Sequence, residues 1–209
     1  MKFTSMRSLL ALGLALTLTA CGGGKATYTI PGTVSNLQYG PLVLTTNGMD
    51  VTVNPSSTLV PPVYDASKVP AVTFEFPKQL EYGDEYVVTF KQQPPHQNCS
   101  IPQGYEHDTV GHRAVINVPV NCFLQAHAVG GSVSGLTADG LVLVNGGGTL
   151  PLASGATTFT FANTVTYGQT YGVTVLSNPT GLFCTVANGA GTMQDADVAN
   201  IAVTCVPSA

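Results

Sequence analysis

The chain reads Thr73-Phe-Glu-Phe-Pro-Lys-Gln-Leu-Glu-Tyr-Gly-Asp-Glu-Tyr-Val-Val-Thr-Phe90 in its first half. It returns 85 positions later, without a gap, as Thr158-Phe-Thr-Phe-Ala-Asn-Thr-Val-Thr-Tyr-Gly-Gln-Thr-Tyr-Gly-Val-Thr-Val175. A fixed internal period indicates a repeated structural unit. Aromatic residues alternate with hydroxyl residues at the start of the second copy, which is the period-2 pattern of a half-buried strand. The block therefore predicts β-strands in both halves.

The residues before this block repeat as well. Residues 32–37 align without a gap with 131–136, and each copy continues into a Leu-Val-Leu run. Asn47-Gly48 and Asn145-Gly146 follow these runs and favour tight turns, because both residue types accept positive φ. The copies then diverge, since the first carries an insertion, 49–72, whose prolines exclude a central strand. We interpret the insertion as a surface excursion, either a binding loop or an inert segment.

Four cysteines remain after the one at position 21, and four cysteines allow three disulfide connectivities. The repeat selects among them, because each copy holds one pair: Cys99 with Cys122, and Cys184 with Cys205. A disulfide within each half suits an exported protein in an oxidising compartment. A metal site is disfavoured at these cysteines, because there is no C-x-x-C spacing and no histidine beside either pair.

The composition is typical of an all-β protein, because Gly, Thr, Ser, Asn and Val dominate and no segment keeps a helical period. Charged residues make up 9% of the chain, which is low against the usual quarter or so of a soluble domain. Removing the first 20 residues leaves five basic side chains against eleven acidic ones. The absence of a basic stripe argues against nucleic acid as a partner.

Residues 1–20 have the pattern of a signal peptide, with two basic residues before an apolar run that is too short to span a bilayer. The run ends in Leu18-Thr19-Ala20-Cys21, which resembles a bacterial lipobox. The resemblance implies cleavage before Cys21, lipid including palmitate on that residue, and a flexible tether over 21–27. Because Gly22 is not the aspartate that retains lipoproteins at the inner membrane, it also implies the outer membrane of a bacterial cell envelope. A plain secretory signal with an incidental cysteine is the alternative.

The frame Leu80-x-Tyr82-Gly83-x-x-Tyr86-x-Val88, repeated from Val165, resembles the corner of fibronectin-type and immunoglobulin-like sandwiches. In that corner a tyrosine hydroxyl bonds to the backbone of the preceding connection. An ordinary hairpin with exposed tyrosines is the alternative.

The Gly, aromatic, Val and Cys positions of roughly residues 30–206 resemble the tandem Gly/Thr-rich surface repeats of bacterial lipoproteins. The resemblance implies an all-β protein with two tandem immunoglobulin-like β-sandwich domains, 28–126 and 127–209, after a cleaved lipoprotein signal peptide. It implies no catalytic residues, because the repeated positions build the framework.

One polar cluster, Glu106-His107-Asp108 with His112, lies between the first two cysteines. Imidazoles and carboxylates can bind a metal, but this spacing fits no metal motif, and a solvated loop is the simpler interpretation. No serine lies in a G-x-S-x-G elbow, and no glycine loop precedes a helix to hold phosphates.

Without tryptophan, a carbohydrate-binding surface would depend on tyrosine or phenylalanine, with Tyr39, Tyr64 and Tyr105 as exposed-looking candidates. Two classes of function follow. The favoured hypothesis is a non-enzymatic, lipid-anchored envelope protein without a cofactor, whose β-sandwich modules serve structural, display or adhesion roles. Its partners would be the membrane, through the lipid, and an unidentified protein or glycan. The alternative is a metal-dependent binder or enzyme that uses the Glu106/His107/Asp108/His112 loop with 49–72, which requires both segments to meet around a pocket.

Overall fold

The computed structural model describes residues 24–208, so the signal segment and Cys21 lie outside the described residues. Within this range the chain is all-β, and its helical content is one short 3₁₀ turn, Ala66–Lys68. None of the helices found in residues 24–208 has the length and apolar character needed to cross a membrane.

The first half contains eleven strands: β1 (Thr27–Tyr28), β2 (Pro31–Ser35), β3 (Leu42–Thr46), β4 (Met49–Val53), β5 (Val72–Glu75), β6 (Leu80–Glu81), β7 (Glu85–Val87), β8 (Thr89–Gln92), β9 (Gln97–Ser100), β10 (His107–Thr109) and β11 (Val118–Leu124). The second half contains ten: β12 (Ala126–His127), β13 (Val129–Ser134), β14 (Leu141–Asn145), β15 (Gly148–Leu152), β16 (Thr158–Thr160), β17 (Val165–Thr166), β18 (Thr170–Ser177), β19 (Leu182–Ala187), β20 (Ala190–Thr192) and β21 (Val198–Pro207).

The two halves repeat the same sheet arrangement. A four-stranded sheet has the order β5-β2-β11-β9 in the first half and β16-β13-β21-β19 in the second. The two central strands of each sheet run parallel to each other, β2 with β11 and β13 with β21. Each outer strand is antiparallel to its neighbour. The opposing sheets are β4-β3-β8 and β15-β14-β18-β20, and short pairs β1-β6, β10-β7 and β12-β17 complete the arrangement.

Each half closes its own core between its two sheets. In the first half, Leu44 of β3 and Val120 of β11 belong to one buried cluster, although they lie on opposing sheets. Leu143 of β14 and Val203 of β21 belong in the same way to a second cluster. Alternating burial along these strands produces this result, because every second side chain of a strand points to the same face. The two sheets of each half therefore pack as a β-sandwich.

The predicted tight turns form, with one shift. Asn47 and Gly48 occupy the two central positions between β3 and β4, at φ of 46° and 71°. In the second half, Asn145 pairs with Gly148 and remains in the strand, so the turn consists of Gly146 and Gly147. The Asn145 side chain accepts a hydrogen bond of 2.9 Å from the backbone amide of Gly172.

The insertion 49–72 is irregular only in its interior, and its predicted bounds are wrong at both ends. Met49–Val53 forms β4, which pairs with β3 along its whole length, and β5 already begins at Val72. The alternation of Met49, Val51 and Val53 with polar residues carries this strand. The true excursion is therefore 54–71, which we call the insertion loop.

Both predicted disulfides are present. Cys99 lies directly opposite Cys122 on β9 and β11, and Cys184 lies opposite Cys205 on β19 and β21. Each bond therefore joins neighbouring strands of one sheet within one half of the chain. The boundary predicted between residues 126 and 127 falls inside β12, which pairs with β17.

Candidate functional site

A two-stranded ribbon carries the polar cluster that the sequence indicated. Strands β7 and β10 pair antiparallel, with Asp108 opposite Tyr86 and His107 opposite Val87. Because neighbouring residues of a strand point to opposite faces, Asp108 lies on the same face as the buried Tyr86, while His107 points toward solvent. The ribbon thus separates the two histidine-bearing parts of the cluster.

Asp108 is the centre of the cluster. Its carboxylate accepts hydrogen bonds from the Thr109 amide at 2.8 Å, His112 Nδ1 at 2.7 Å and Arg113 Nε at 2.5 Å. The bond from the Thr109 amide, followed by those from His112 and Arg113, holds the pKa of Asp108 below its ordinary value, although partial burial acts against this shift. Burial and then the nearby Asp108 charge raise the pKa of Tyr86.

Arg113 is held from three directions. Besides its bond to Asp108, its NH2 group donates to the carbonyl oxygen of Gly104 at 2.8 Å. Its guanidinium carbon lies 4.8 Å from the centre of the Tyr105 ring, in a cation–π arrangement. These contacts fix the guanidinium plane, and Arg113 is a member of the cluster that the sequence analysis did not include.

Glu106 and His107 form a separate pair. The Glu106 carboxylate accepts a hydrogen bond of 2.6 Å from the Gly104 amide and lies 3.3 Å from His107 Nδ1. Hydrogen bonds from its own backbone amide and from that of Gly104 keep the pKa of Glu106 below its ordinary value. Within residues 24–208, no three His, Cys, Asp or Glu side chains are grouped so as to hold a metal ion.

A cavity of about 740 Å³ lies beside this cluster. Residues of two segments, 82–87 and 104–113, line it. We call it the ribbon pocket. Its lining in the described chain includes no residue of the insertion loop, so the two segments required by the enzyme hypothesis do not meet there.

Tyr82 forms one wall of the ribbon pocket. A Cβ built on Gly111 would lie 2.2 Å from the Tyr82 ring, so the ring rests directly on that glycine. The immunoglobulin-type corner stays a prediction, because its hydroxyl belongs to the second tyrosine of the frame, Tyr86. The Tyr82 ring takes the space above Gly111. Its repeat counterpart, Tyr167, places its hydroxyl 3.4 Å from His96 Nε2.

The insertion loop faces the second half of the chain. Its Val63 exchanges two hydrogen bonds with the Gln38 side chain, of 2.6 and 2.8 Å. The side chains of Pro62 and Tyr64 lie 2.9 Å from a Cβ built on Gly168. The predicted surface excursion therefore packs between the two halves.

His96 connects the halves next to this contact. Its Nδ1 lies 2.7 and 2.8 Å from the carboxylate oxygens of Asp195, and its ring stacks on that of Tyr167 at 4.0 Å and 12°. Tyr39 meets the edge of the imidazole at 4.8 Å. Burial and then the neighbouring Tyr167 raise the pKa of Tyr39. We call His96, Asp195, Tyr167 and Tyr39 the junction cluster.

Sequence reasoning missed the junction cluster, apart from listing Tyr39 as exposed. Tyr39 is instead half-buried, whereas Tyr64 and Tyr105 are exposed at 49% and 44%. The buried Gln97 positions Tyr39, because its Oε1 accepts from the Tyr39 amide at 3.0 Å and its Nε2 donates to the Asn36 carbonyl at 2.7 Å. The lipidation residue, Cys21, lies outside the described residues.

Comparisons with known proteins add little. No protein-family model matches the chain, and no curated protein matches it. Among solved structures, it is similar to the major pilin protein T-13 of Streptococcus pyogenes, with 12% identity and a TM-score of 0.30 over 88% of this chain and 98% of that one. A shaft pilin of Lactobacillus rhamnosus GG gives 10% identity and a TM-score of 0.27 over 88% and 100%. Similarity at this level does not establish a common fold.

Proposed function

We propose that this chain is a non-enzymatic, lipid-anchored protein of the bacterial cell envelope that presents two tandem immunoglobulin-like domains in a fixed mutual arrangement. Its role would be structural or adhesive. The observation that carries the proposal is the repeated construction: each half has its own core, its own disulfide and the same strand order. The residues that occur in both halves are the glycine, aromatic, valine and cysteine residues that build the strands, turns and disulfides.

The junction cluster supports the fixed arrangement. A carboxylate–imidazole contact and a stacked aromatic pair, both partly removed from water, each contribute more than an exposed ion pair does. The backbone of Gln125 adds two further bonds, accepting from Tyr167 at 2.8 Å and donating to His96 at 2.9 Å. Halves joined in this way behave as a spacer of defined length rather than as two domains connected by a flexible linker.

The state of the polar cluster supports a non-enzymatic role. A general base needs a carboxylate that is free to take a proton from a substrate. Asp108 already accepts hydrogen bonds from three donors, and its lowered pKa makes it a weaker base than an ordinary aspartate. The cluster is therefore suited to holding its own loop in place.

The anchor rests on the sequence Leu18-Thr19-Ala20-Cys21. Two or more acyl chains on one residue suffice for stable membrane attachment, whereas one does not. Gly22 favours the outer membrane, and the glycines that follow it supply a tether between lipid and β1.

Metabolic labelling with an alkyne analogue of palmitate tests this proposal in a Gram-negative host. We expect label on the wild-type chain in the outer-membrane fraction and none on Cys21→Ala. Gly22→Asp is the matched control, since it keeps the acceptor cysteine and should move the labelled chain to the inner membrane. Equal labelling of wild type and Cys21→Ala would refute the lipid anchor.

A further inference from the structure

We propose that the ribbon pocket is a binding site for a neutral saccharide. The proposal deepens the adhesive role given above, on which it rests for its biological meaning, by naming a class of partner. Its physical argument depends on the pocket alone.

The ribbon that supports the pocket is part of the repeated framework. Gly83 donates to the carbonyl oxygen of Val110 at 3.0 Å, and the equivalent Gly168 donates to that of Met193 at 3.0 Å. The antiparallel pairing of β7 with β10 corresponds to that of β18 with β20. The two halves can therefore be compared position by position at this place.

The comparison shows what is particular to the first half. The residue opposite Tyr171 is Gly191, and a Cβ built there would lie 2.5 Å from the Tyr171 hydroxyl, so the tyrosine covers that glycine. The residue opposite Tyr86 is Asp108, and Tyr86 is 4% exposed, turned into the core. A cavity of about 570 Å³ lies at the corresponding place of the second half, so the difference is the charged group that the first half places beside its cavity.

Tyr82 gives the pocket an apolar wall. One face of its ring is covered by Gly111, yet the side chain is 56% exposed. Val87, which also lines the pocket, is 53% exposed. A tyrosine ring fixed on one side and open on the other offers a flat surface to the C–H face of a sugar ring, at little cost in side-chain entropy.

Asp108 and Arg113 give the pocket adjacent acceptors and donors. Guanidinium has five N–H groups, of which the bonds to Asp108 and Gly104 use two. Because the two charges neutralise each other within one pair, the site favours a neutral ligand that donates and accepts at neighbouring atoms. Vicinal hydroxyl groups of a saccharide have this property, and the exposed Glu85 in the lining disfavours an anion.

The size of the pocket agrees with this ligand class. Its volume of about 740 Å³ lies within the range of roughly 300–1,000 Å³ that is usual for ligand sites. A cavity with one aromatic wall and a few fixed polar groups orients a ligand by its edges while it buries one face. A short oligosaccharide meets both requirements.

Saturation-transfer NMR on the full chain, kept in a detergent without a sugar head group, tests the proposal. The probes are lactose, maltose, cellobiose and chitobiose, with glucuronate and N-acetylneuraminate as anionic comparisons. We expect transfer to at least one neutral disaccharide. We also expect Tyr82→Ala and Asp108→Asn each to weaken its binding about tenfold or more, as loss of an anchoring contact does.

Phe183→Ala is the matched control, because Phe183 is an aromatic residue of similar exposure, 54%, on β19 of the other half. It should leave binding unchanged, and far-ultraviolet circular dichroism and thermal melting establish that all variants are folded. Binding of the anionic sugars alone, no transfer to any neutral disaccharide, or unchanged affinity in both pocket variants would each overturn the proposal. Palmitate labelling at Cys21 is measured separately, so the failure of one proposal is distinguishable from the failure of the other.

Discussion

Replacing both Cys184 and Cys205 with alanine tests whether the two halves unfold independently. These cysteines lie opposite each other on β19 and β21, in the core of the second half. Their bond closes a loop with a sequence separation of 21. Alanine is chosen because it leaves neither a free thiol nor a buried hydroxyl without a hydrogen-bond partner.

The expected cost follows from the loop length. Restricting the unfolded chain by a loop of this size stabilises the folded state by about 3 kcal/mol in the chain-entropy model. That free energy corresponds to a factor of about one hundred in the equilibrium between folded and unfolded forms. The loss should fall on the second half, because the first half keeps its own core and its own disulfide.

Native-state hydrogen exchange measures the effect strand by strand. We expect protection to fall by about a hundredfold in β13, β14 and β21, with a much smaller change in β2, β3 and β11. The double variant Cys99→Ala/Cys122→Ala is the matched control, since its loop has a separation of 23 and lies in the first half. In this control we expect protection to fall in β2, β3 and β11 and to change much less in β13, β14 and β21. An equal loss of protection in both halves, or no loss in the second, would refute the reasoning.

Three further predictions concern packing, the junction and acid stability. Gly131→Ala should lower the free energy of unfolding by about 1–3 kcal/mol in urea titrations, because its Cβ would lie 1.9 Å from the carbonyl oxygen of Ile201. His96→Asn, which tolerates the φ of 61° at this position, should remove the stack and the contact with Asp195 and increase the maximum dimension in small-angle X-ray scattering. The ionised Asp108 should stabilise the folded state at neutral pH, because its pKa is lower in the folded than in the unfolded chain. This stability should be lost as the pH falls from the ordinary aspartate pKa of about 3.9 through the lower folded pKa, and urea midpoints measured across this range will show the loss.

Each of these predictions has a control. Gly172→Ala should be tolerated, because a Cβ there meets no atom within 4 Å. Asp195→Asn should reproduce part of the His96→Asn expansion, and unchanged scattering in both would contradict a fixed junction. Asp108→Asn should flatten the acid limb of the stability profile, because the folded aspartate binds its proton less readily than the unfolded one. An identical acid limb in the variant would contradict the role of that carboxylate.

The repeat made much of the fold predictable. Because the Leu-Val-Leu run and the cysteine pair each occur twice, the sequence predicted two strands and two disulfides, and the structure contains all of them. Those features depend on local alternation and on spacing, which a sequence displays directly. Apolar and polar residues also alternate along the strand Met49–Val53. The strand was not predicted, because no stretch of the second copy was aligned with it.

The contacts between halves were not predictable in the same way. His96 and Asp195 are 99 positions apart, and they meet only because the stacked rings and the Gln125 backbone place the two halves together. Arg113 had a usable signal, since it is the single arginine of residues 24–208 and directly follows His112. Its orientation between Asp108 and Tyr105 required the structure.

The parallel pairing of an early with the last strand in each half determines how the chain carries mechanical load. Strand β2 runs parallel to β11, and β13 runs parallel to β21. Tension applied between the beginning and the end of a half therefore pulls these two strands in opposite directions along their length. The hydrogen bonds of the ladder are then loaded in shear, all together, instead of being opened one by one from an end. Because forced unfolding is controlled by the rate of crossing the barrier, this geometry lets a protein fixed at one end withstand stretching that a hairpin loaded at its open end would not.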